Sequence, residues 1–187
     1  LAKEMISAAW ESGANAVKFQ TFITREFLHQ SHPSFKYDAD AEISHEDEEE
    51  IWKYAREKKI RLFSTPEDLK SLTFIQKQKP PLVKIAAMDF NFSILIKKAA
   101  EMEVPIILSS GMSNQEEVLR AVRWVKEVGN QDCAVLHCVS CYPTPYGECN
   151  LNAIRTLKNI FDGPVGFSDH TIGIHIALAA VTMGANI

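Results

Sequence analysis

The stretch PIILSSGMSNQEEVLRAVRWVKEVG, residues 105–129, contains the pattern that decides the fold. Its apolar run Pro105–Ser110 predicts a strand, and Ser113 and Glu116 have the spacing of a capping box at the start of a helix that ends near Gly129. One face of this helix is apolar at Val118, Ala121, Val122 and Val125. A buried strand followed by an amphipathic helix is the unit from which parallel α/β sheets are built.

The same unit recurs along the chain. The predicted strands are Ala16–Thr21, Arg61–Thr65, Leu82–Ala87, Pro105–Ser110, Ala134–Ser140 and Val165–Ser168. A helix at Leu1–Ser12 precedes the first strand, and a helix at Ile172–Met183 leads into the first residues of another strand. Eight such units need about 250 residues, so 187 residues predict one α/β domain over 1–187, a (β/α)₈ TIM barrel that is incomplete in this chain. A doubly wound sheet fits the count as well, but no G-x-G-x-x-G follows any strand.

Two helix starts are predicted from local chemistry. The run HEDEEE, residues 45–50, predicts a solvated surface helix with Ser44 at its start. Thr65 followed by Pro66 has the pattern of a helix N-cap with proline in the first turn.

Composition excludes several functional classes. The chain has 20 Lys+Arg against 24 Asp+Glu and a net charge of −4, which argues against a nucleic-acid partner. No apolar run approaches the roughly 20 residues of a membrane span, and no signal peptide opens the chain, so we expect no membrane partner and a cytoplasmic location. The pair Cys138 and Cys141 lacks the second pair that a zinc site needs, and we interpret the four cysteines as reduced thiols.

Polar side chains concentrate where the predicted strands end. They include Lys18, Gln20, Thr65, Lys84, Asp89, Ser140, Ser168, Asp169 and His170. Helix caps explain some of them, but an unpaired lysine inside an apolar strand is costly unless it binds an anion. Because barrel active sites lie at the carboxyl ends of the strands, Lys18 and Lys84 predict a site for a phosphate or carboxylate. His170 taken alone is either a structural histidine, a metal ligand or an acid/base group.

Several motifs together resemble one enzyme family, the sialic acid synthases, which make N-acetylneuraminate, legionaminate and pseudaminate and include relatives in spore-coat polysaccharide biosynthesis. The motifs are Lys18-Phe19-Gln20-Thr21, Phe63-Ser64-Thr65-Pro66, Val83-Lys84-Ile85-Ala86, Ile107 to Met112, Leu136-His137-Cys138, Tyr142-Pro143-Thr144-Pro145-Tyr146 and Gly166 to Thr171.

This resemblance implies a TIM-barrel enzyme that condenses phosphoenolpyruvate with an N-acylated hexosamine, such as N-acetylmannosamine, to a nine-carbon 2-keto acid with release of phosphate. It implies a divalent metal, Mn²⁺ or Mg²⁺, that polarises the sugar aldehyde, and a homodimeric parent. The implied catalytic residues are Lys18, Gln20, Lys84, Asp89 and Tyr142, the implied substrate-binding residues are Thr65, Ser140, Ser168 and Asp169, and the implied metal ligand is His170.

The sequence also departs from the family pattern. Ala87 stands where the family commonly has a serine, and Ser140 stands where some members have an asparagine. The family's first strand with E-I-G-x-N-H, its last strand with a second metal histidine, and its C-terminal antifreeze-like domain are absent, so we expect this chain alone to be inactive. Two alternatives stay open, a related barrel synthase or aldolase acting on another aldose, and a truncated non-catalytic paralogue that binds a partner.

Overall fold

The computed structural model describes every residue from Leu1 to Ile187. The chain divides into two compact units, Leu1–Lys84 (unit 1) and Ile85–Ile187 (unit 2). No helix combines the length and the apolar character that a membrane crossing requires.

Unit 1 alternates helices with parallel strands. Its elements are α1 (Ala2–Glu11), β1 (Val17–Thr21), α2 (Thr24–Phe27), α3 (Phe35–Ala41), α4 (His45–Glu57), β2 (Leu62–Pro66), α5 (Leu69–Gln78) and β3 (Val83–Ile85), whose last residue falls in unit 2. Strand β2 pairs with β1 through Val17–Thr21 against Leu62–Pro66, and with β3 through Ser64 opposite Val83.

Helix α4 begins as predicted but is not fully solvated. The hydroxyl of Ser44 accepts a hydrogen bond from the Asp47 amide at 3.1 Å, and the acidic first turn complements the helix dipole. The prediction of a solvated run is wrong at Glu48, which is only 2% exposed. Its carboxylate accepts hydrogen bonds from Thr21 Oγ1 at 2.5 Å and Trp52 Nε1 at 3.3 Å. Burial raises the pKa of Glu48, and these two hydrogen bonds oppose that shift.

Helix α5 starts later than predicted. Thr65 and Pro66 lie within β2, and Asp68 is the N-cap residue, because its Oδ1 accepts from the amides of Lys70 and Ser71 at 2.8 Å each. An ionised carboxylate is a strong cap for the positive end of a helix, so it replaces the predicted threonine cap.

Unit 2 repeats the strand-helix alternation. Its elements are a 3₁₀ turn at Ala87–Asp89, α6 (Ser93–Ala100), β4 (Ile106–Ser109), α7 (Gln115–Glu127), β5 (Cys133–Cys138), a 3₁₀ turn at Tyr146–Glu148, α8 (Asn152–Ile160), β6 (Val165–Ser168) and α9 (His175–Thr182). The three strands β4, β5 and β6 pair in parallel in that order. Every residue of β4 and β5 is buried, as expected for parallel strands covered on both faces.

Helix α7 confirms the predicted apolar face but moves its cap by one residue. The buried residues are Val118, Ala121, Val122 and Val125. The capping box joins Asn114 and Glu117 rather than Ser113 and Glu116, with hydrogen bonds of 3.0 and 2.8 Å. Both residue pairs have the required spacing, and asparagine is as good a cap as serine, so spacing alone did not decide between them.

All six predicted strands are present, and each end lies within two residues of its predicted position. Beyond α9, the Asn186 amide donates to the Val165 carbonyl, and the Ile187 carbonyl accepts from the Phe167 amide, at 2.8 Å each. These last residues therefore pair with β6 as the start of a further strand would. All four cysteines are free thiols.

Candidate active site

One face of the unit 1 strands carries the polar residues predicted from the sequence. Lys18 and Gln20 are two residues apart on β1, so they share a face, and Thr21 points to the opposite one, where it meets Glu48 of α4. The register places Gln20 opposite Thr65 of β2, which puts Thr65 on the same face.

Lys84 joins this face from β3. Ser64 pairs with Val83 and shares the α4 side of the strands through its hydroxyl contact with Thr21 at 2.7 Å, so Lys84 points to the other side with Thr65. We call Lys18, Gln20, Thr65, Lys84 and the adjoining Glu67 the unit 1 strand-end group.

The charges of the strand-end group act on one another. The pKa of Lys18 is lowered to about 8, first because surrounding protein desolvates the ammonium group and second because the charge of Lys84 repels a second positive charge. The carboxylate of Glu67 acts in the opposite direction. Lys18 is therefore easier to deprotonate than an ordinary lysine, although solvent still reaches its side chain.

Glu67 belongs to the group but was not predicted. It follows β2 directly, is only 6% exposed, and accepts a hydrogen bond from Gln20 Nε2 at 2.5 Å. Burial raises the pKa of Glu67, and the charges of Asp38 and Asp68 add to that shift, whereas the Gln20 hydrogen bond and Lys18 oppose it. The signal that could have found it is its position two residues after Thr65, at a strand end already rich in polar groups.

Thr65 carries a buried hydroxyl without a protein partner. Its side chain is 1% exposed, and its Oγ1 makes no hydrogen bond. An unsatisfied buried hydroxyl costs about 1–3 kcal/mol, and native proteins place such groups sparingly. A ligand oxygen on this face would offer the missing acceptor.

His170 is the centre of the polar residues that unit 2 brings together. Its Nδ1 lies 2.9 Å from the Val139 carbonyl oxygen, which only accepts hydrogen bonds, so Nδ1 carries the proton. In the neutral ring Nε2 then keeps its lone pair, and it lies 3.4 Å from Ser168 Oγ. The Tyr142 ring packs against the imidazole with centroids 4.3 Å apart.

The other predicted unit 2 residues, Asp169, Asp89 and Ser140, have separate local surroundings. Asp169 Oδ1 accepts from the Thr171 amide at 2.9 Å and thereby shapes its own loop. Asp89 is buried at the end of the 3₁₀ turn Ala87–Asp89. Ser140 is exposed after β5.

The two departures from the family pattern lie against the same glycine. A Cβ atom built on Gly111 would fall 2.6 Å from the Ala87 Cβ and 2.7 Å from Ser140 Oγ. The Gly111 amide also donates to Cys138 Sγ at 3.2 Å. The small side chains of Ala87 and Ser140 therefore lie close to the backbone of Gly111.

A divalent metal finds one suitable ligand here rather than a complete set. No cluster of three or more His, Cys, Asp or Glu side chains is arranged to hold a metal ion. His170 nevertheless has the form that metal-binding histidines take, with one ring nitrogen donating to a backbone carbonyl and the other, 3.4 Å from Ser168 Oγ, keeping a lone pair that can coordinate.

The structure is similar to those of several solved synthases. The structure of a sialic acid synthetase from Leptospira borgpetersenii superposes with a TM-score of 0.95 at 34% identity, covering 100% of this chain and 65% of that one. Spore coat polysaccharide biosynthesis protein spsE from Bacillus subtilis gives 0.87 at 33% identity, covering 98% and 52%. An aldolase from Thermotoga maritima, a DAHP synthase, shares the fold alone, at 16% identity and a TM-score of 0.76. The fold is thus that of TIM-barrel-like synthases.

The family model described as the NeuB family matches residues 5–187, and the chain belongs to that family. Its sequence is 34% identical over 201 residues to an N,N'-diacetyllegionaminic acid synthase of Campylobacter jejuni, covering 99% of this chain and 60% of the relative. It is 41% identical to an uncharacterised protein of Methanocaldococcus jannaschii, covering 100% and 56%. The chain thus spans little more than half the length of these curated relatives. The predicted resemblance to sialic acid synthases is confirmed at the level of the family.

Proposed function

We propose that this protein condenses phosphoenolpyruvate with an N-acylated hexosamine, such as N-acetylmannosamine, to give a nine-carbon 2-keto sugar acid and inorganic phosphate. The observation that carries the proposal is the shared face of Lys18 and Lys84, whose charges are close enough that Lys84 lowers the pKa of Lys18. With Glu67 the group holds two positive charges and one negative, an excess suited to an anion. Family membership and relatives named as sugar acid synthases support the same reaction.

The reaction balances with water as the only other reactant. The enol carbon C3 of phosphoenolpyruvate forms a bond to the sugar's aldehyde carbon, and the aldehyde oxygen takes a proton. Water adds to C2, the bond between C2 and the phosphate oxygen breaks, and C2 becomes the ketone of the product.

Unit 1 supplies the groups that hold the anionic substrate. Lys18 and Lys84 neutralise its carboxylate, and Thr65 donates its otherwise unsatisfied hydroxyl hydrogen to a carboxylate oxygen. Gln20, which is exposed beside them, faces the sugar. These contacts bind the two substrates and orient the enol carbon for attack.

Unit 2 supplies hydroxyl, acid and imidazole groups. Ser168 donates to the departing phosphate, Tyr142 and Ser140 contact the sugar, and the carboxyl groups of Asp89 and Asp169 serve proton transfer and substrate orientation. The Val139 carbonyl holds the proton of His170 on Nδ1 and so keeps the Nε2 lone pair available. At that nitrogen His170 would hold a divalent cation, Mn²⁺ or Mg²⁺, which would supply Lewis-acid polarisation of the sugar carbonyl.

The six strands fit a (β/α)₈ barrel, whose active sites lie at the carboxyl ends of the strands. The proposed residues lie on the strands or in the segments that follow them. The single-barrel architecture is therefore part of the same proposal.

Phosphate release from phosphoenolpyruvate, measured with the full-length protein, tests the proposal. The panel contains N-acetylmannosamine, mannosamine, mannose and erythrose 4-phosphate, each with and without Mn²⁺. We expect release only with the N-acylated sugar and only with metal. Release with another aldose instead would favour the related synthase, and no release with any sugar would favour a non-catalytic binding protein.

A further inference from the structure

Glu67 is the one buried acid of the strand-end group, and the proposed reaction leaves it without a task. It is 6% exposed, and its amide donates to the Thr21 carbonyl at 3.2 Å, so the end of β1 fixes its backbone as well. Burying a carboxylate is costly, and here its negative charge also offsets part of the positive charge that would attract an anion. Binding of the anionic substrate therefore does not explain why a buried carboxylate stands at position 67.

The hydrogen-bond partner of this carboxylate is the side-chain amide of Gln20. The Gln20 Nε2 group donates to Glu67 Oε1 at 2.5 Å, and no protein group bonds Gln20 Oε1. A glutamine amide can present either its nitrogen or its oxygen, but an ionised carboxylate only accepts hydrogen bonds. Glu67 therefore selects one of the two orientations, and the carbonyl oxygen of Gln20 faces away from Glu67.

We propose that Glu67 is a positioning residue that sets sugar specificity by holding Gln20 so that its carbonyl oxygen accepts a hydrogen bond from a hydroxyl or amide N–H of the sugar. This inference rests on the proposed function for the identity of the second substrate. It deepens that function by stating which kind of group the site selects, a hydrogen-bond donor rather than an acceptor. A site that presents an oriented acceptor discriminates strongly against a ligand that lacks the matching donor.

Exchanging the two side chains gives the sharpest test. In the double variant Gln20→Glu/Glu67→Gln, the introduced amide at position 67 donates to the introduced carboxylate at position 20, whose second oxygen still faces the sugar as an acceptor. The single variant Gln20→Glu instead places two carboxylates against each other, and their repulsion disrupts the pair. Glu67→Ala removes the partner altogether and frees the Gln20 amide to turn.

The kinetic readout separates the two substrates. We expect Glu67→Ala to raise the KM for N-acetylmannosamine about tenfold, because one fixed hydrogen bond is lost. At pH 6, well below the Lys18 pKa of about 8, the KM for phosphoenolpyruvate should stay unchanged or fall, since Lys18 keeps its charge and a negative charge beside it is removed. Gln20→Glu should raise the sugar KM further, and the double variant should return it to within about threefold of the unmodified protein. Glu57→Ala, which removes an exposed acid of α4, is the matched control and should change neither constant.

The kind of donor is distinguished by comparing sugars. If the amide N–H is the partner, the effect of Glu67→Ala should vanish in the inhibition constant of 2-deoxymannose, which lacks a donor at C2, measured against N-acetylmannosamine. If a hydroxyl shared by both sugars is the partner, the effect should persist. Either result supports the proposal and identifies the group.

A measurement without substrate separates this inference from the proposed function. The ¹⁵N–¹H signals of the Gln20 side-chain amide, assigned by their loss in Gln20→Glu, should shift in Glu67→Ala and stay in place in Glu57→Ala. Unshifted signals, or equal KM increases for both substrates without rescue in the double variant, would overturn the positioning role. Shifted signals without phosphate release from any sugar would overturn the proposed function and, with it, the assignment of Gln20 to a sugar.

Discussion

The strand-end residues of the two units are held in different ways. In unit 1, burial lowers the pKa of Lys18 and raises that of Glu67, and the charges of Lys84 and Glu67 act on Lys18 in opposite directions. In unit 2, the Val139 carbonyl orients His170, and Ala87 and Ser140 leave little room for a side chain at position 111. Unit 1 should therefore respond to changes of charge and pH, whereas unit 2 should respond to changes of shape.

Removing one charge from unit 1 is the largest expected effect. Lys84→Ala should raise the KM for phosphoenolpyruvate about 10- to 100-fold, because a charge-assisted hydrogen bond to an anion contributes about 1.5–3 kcal/mol. Steady-state kinetics measures the change, and Lys53→Ala, an exposed lysine of α4, is the control. An unchanged KM with only a lower melting temperature would make Lys84 a structural lysine.

Adding one methyl group to unit 2 tests the role of shape. Gly111→Ala should lower the free energy of unfolding by about 1–3 kcal/mol, because the new Cβ collides with Ala87 and Ser140. The control is Gly147→Ala, since a Cβ there meets nothing within 4 Å. Urea denaturation of both variants gives the comparison, and equal stabilities would mean that the packing at Gly111 yields easily.

His170 is the proposed metal ligand of unit 2, through the lone pair of Nε2. His170→Ala should weaken Mn²⁺ binding at least about tenfold. Replacing a residue that only orients a metal ligand already lowers metal affinity about 10- to 100-fold, and His170 is the proposed ligand itself. Calorimetric titration measures the affinity, with the exposed His29→Ala as control. Mn²⁺ binding that survives His170→Ala would remove this histidine from the site.

The pH dependence has the smallest expected effect near neutral pH, and it tests whether Lys18 binds the substrate as a charged group. The pKa of Lys18 is lowered to about 8, so its positive charge is present below that pH and is lost above it. The kcat/KM for phosphoenolpyruvate should therefore fall about twofold between pH 7 and 8 and about tenfold by pH 9. Glu67→Gln should move the fall to lower pH, because the charge of Glu67 raises the pKa of Lys18. A flat profile up to pH 10 would show that Lys18 does not bind the substrate as an ammonium group.

The sequence predicted the strands and the charged part of the site because both leave local signals. Apolar runs identify the strands, and Lys18 and Lys84 stand out because ammonium groups are unusual inside such runs. Glu48 was misread within a run of acids, yet it shares one helix face with Ile51, Trp52 and Ala55, all buried, and this spacing could have identified it.

The unit 2 contacts could not be predicted in the same way. His170 is oriented by a backbone carbonyl 31 positions earlier, and every residue carries such an acceptor, so the sequence does not show which one is used. The pairing of Glu67 with Gln20 likewise depends on the register of β1 against β2, which only the structure gives. Local periodicity therefore predicted elements, while long-range hydrogen bonds decided how the site residues are held.

The most direct test of the central claim is to detect the new carbon–carbon bond. Phosphoenolpyruvate labelled with ¹³C at C3 is incubated with N-acetylmannosamine labelled with ¹³C at C1, Mn²⁺ and the protein, and ¹³C NMR follows the mixture. If the protein joins the two substrates, both labelled carbons appear in the product as mutually coupled doublets, formed in step with inorganic phosphate. Phosphate that appears while both carbons remain uncoupled would contradict the account, because the protein would then hydrolyse phosphoenolpyruvate without joining it to the sugar.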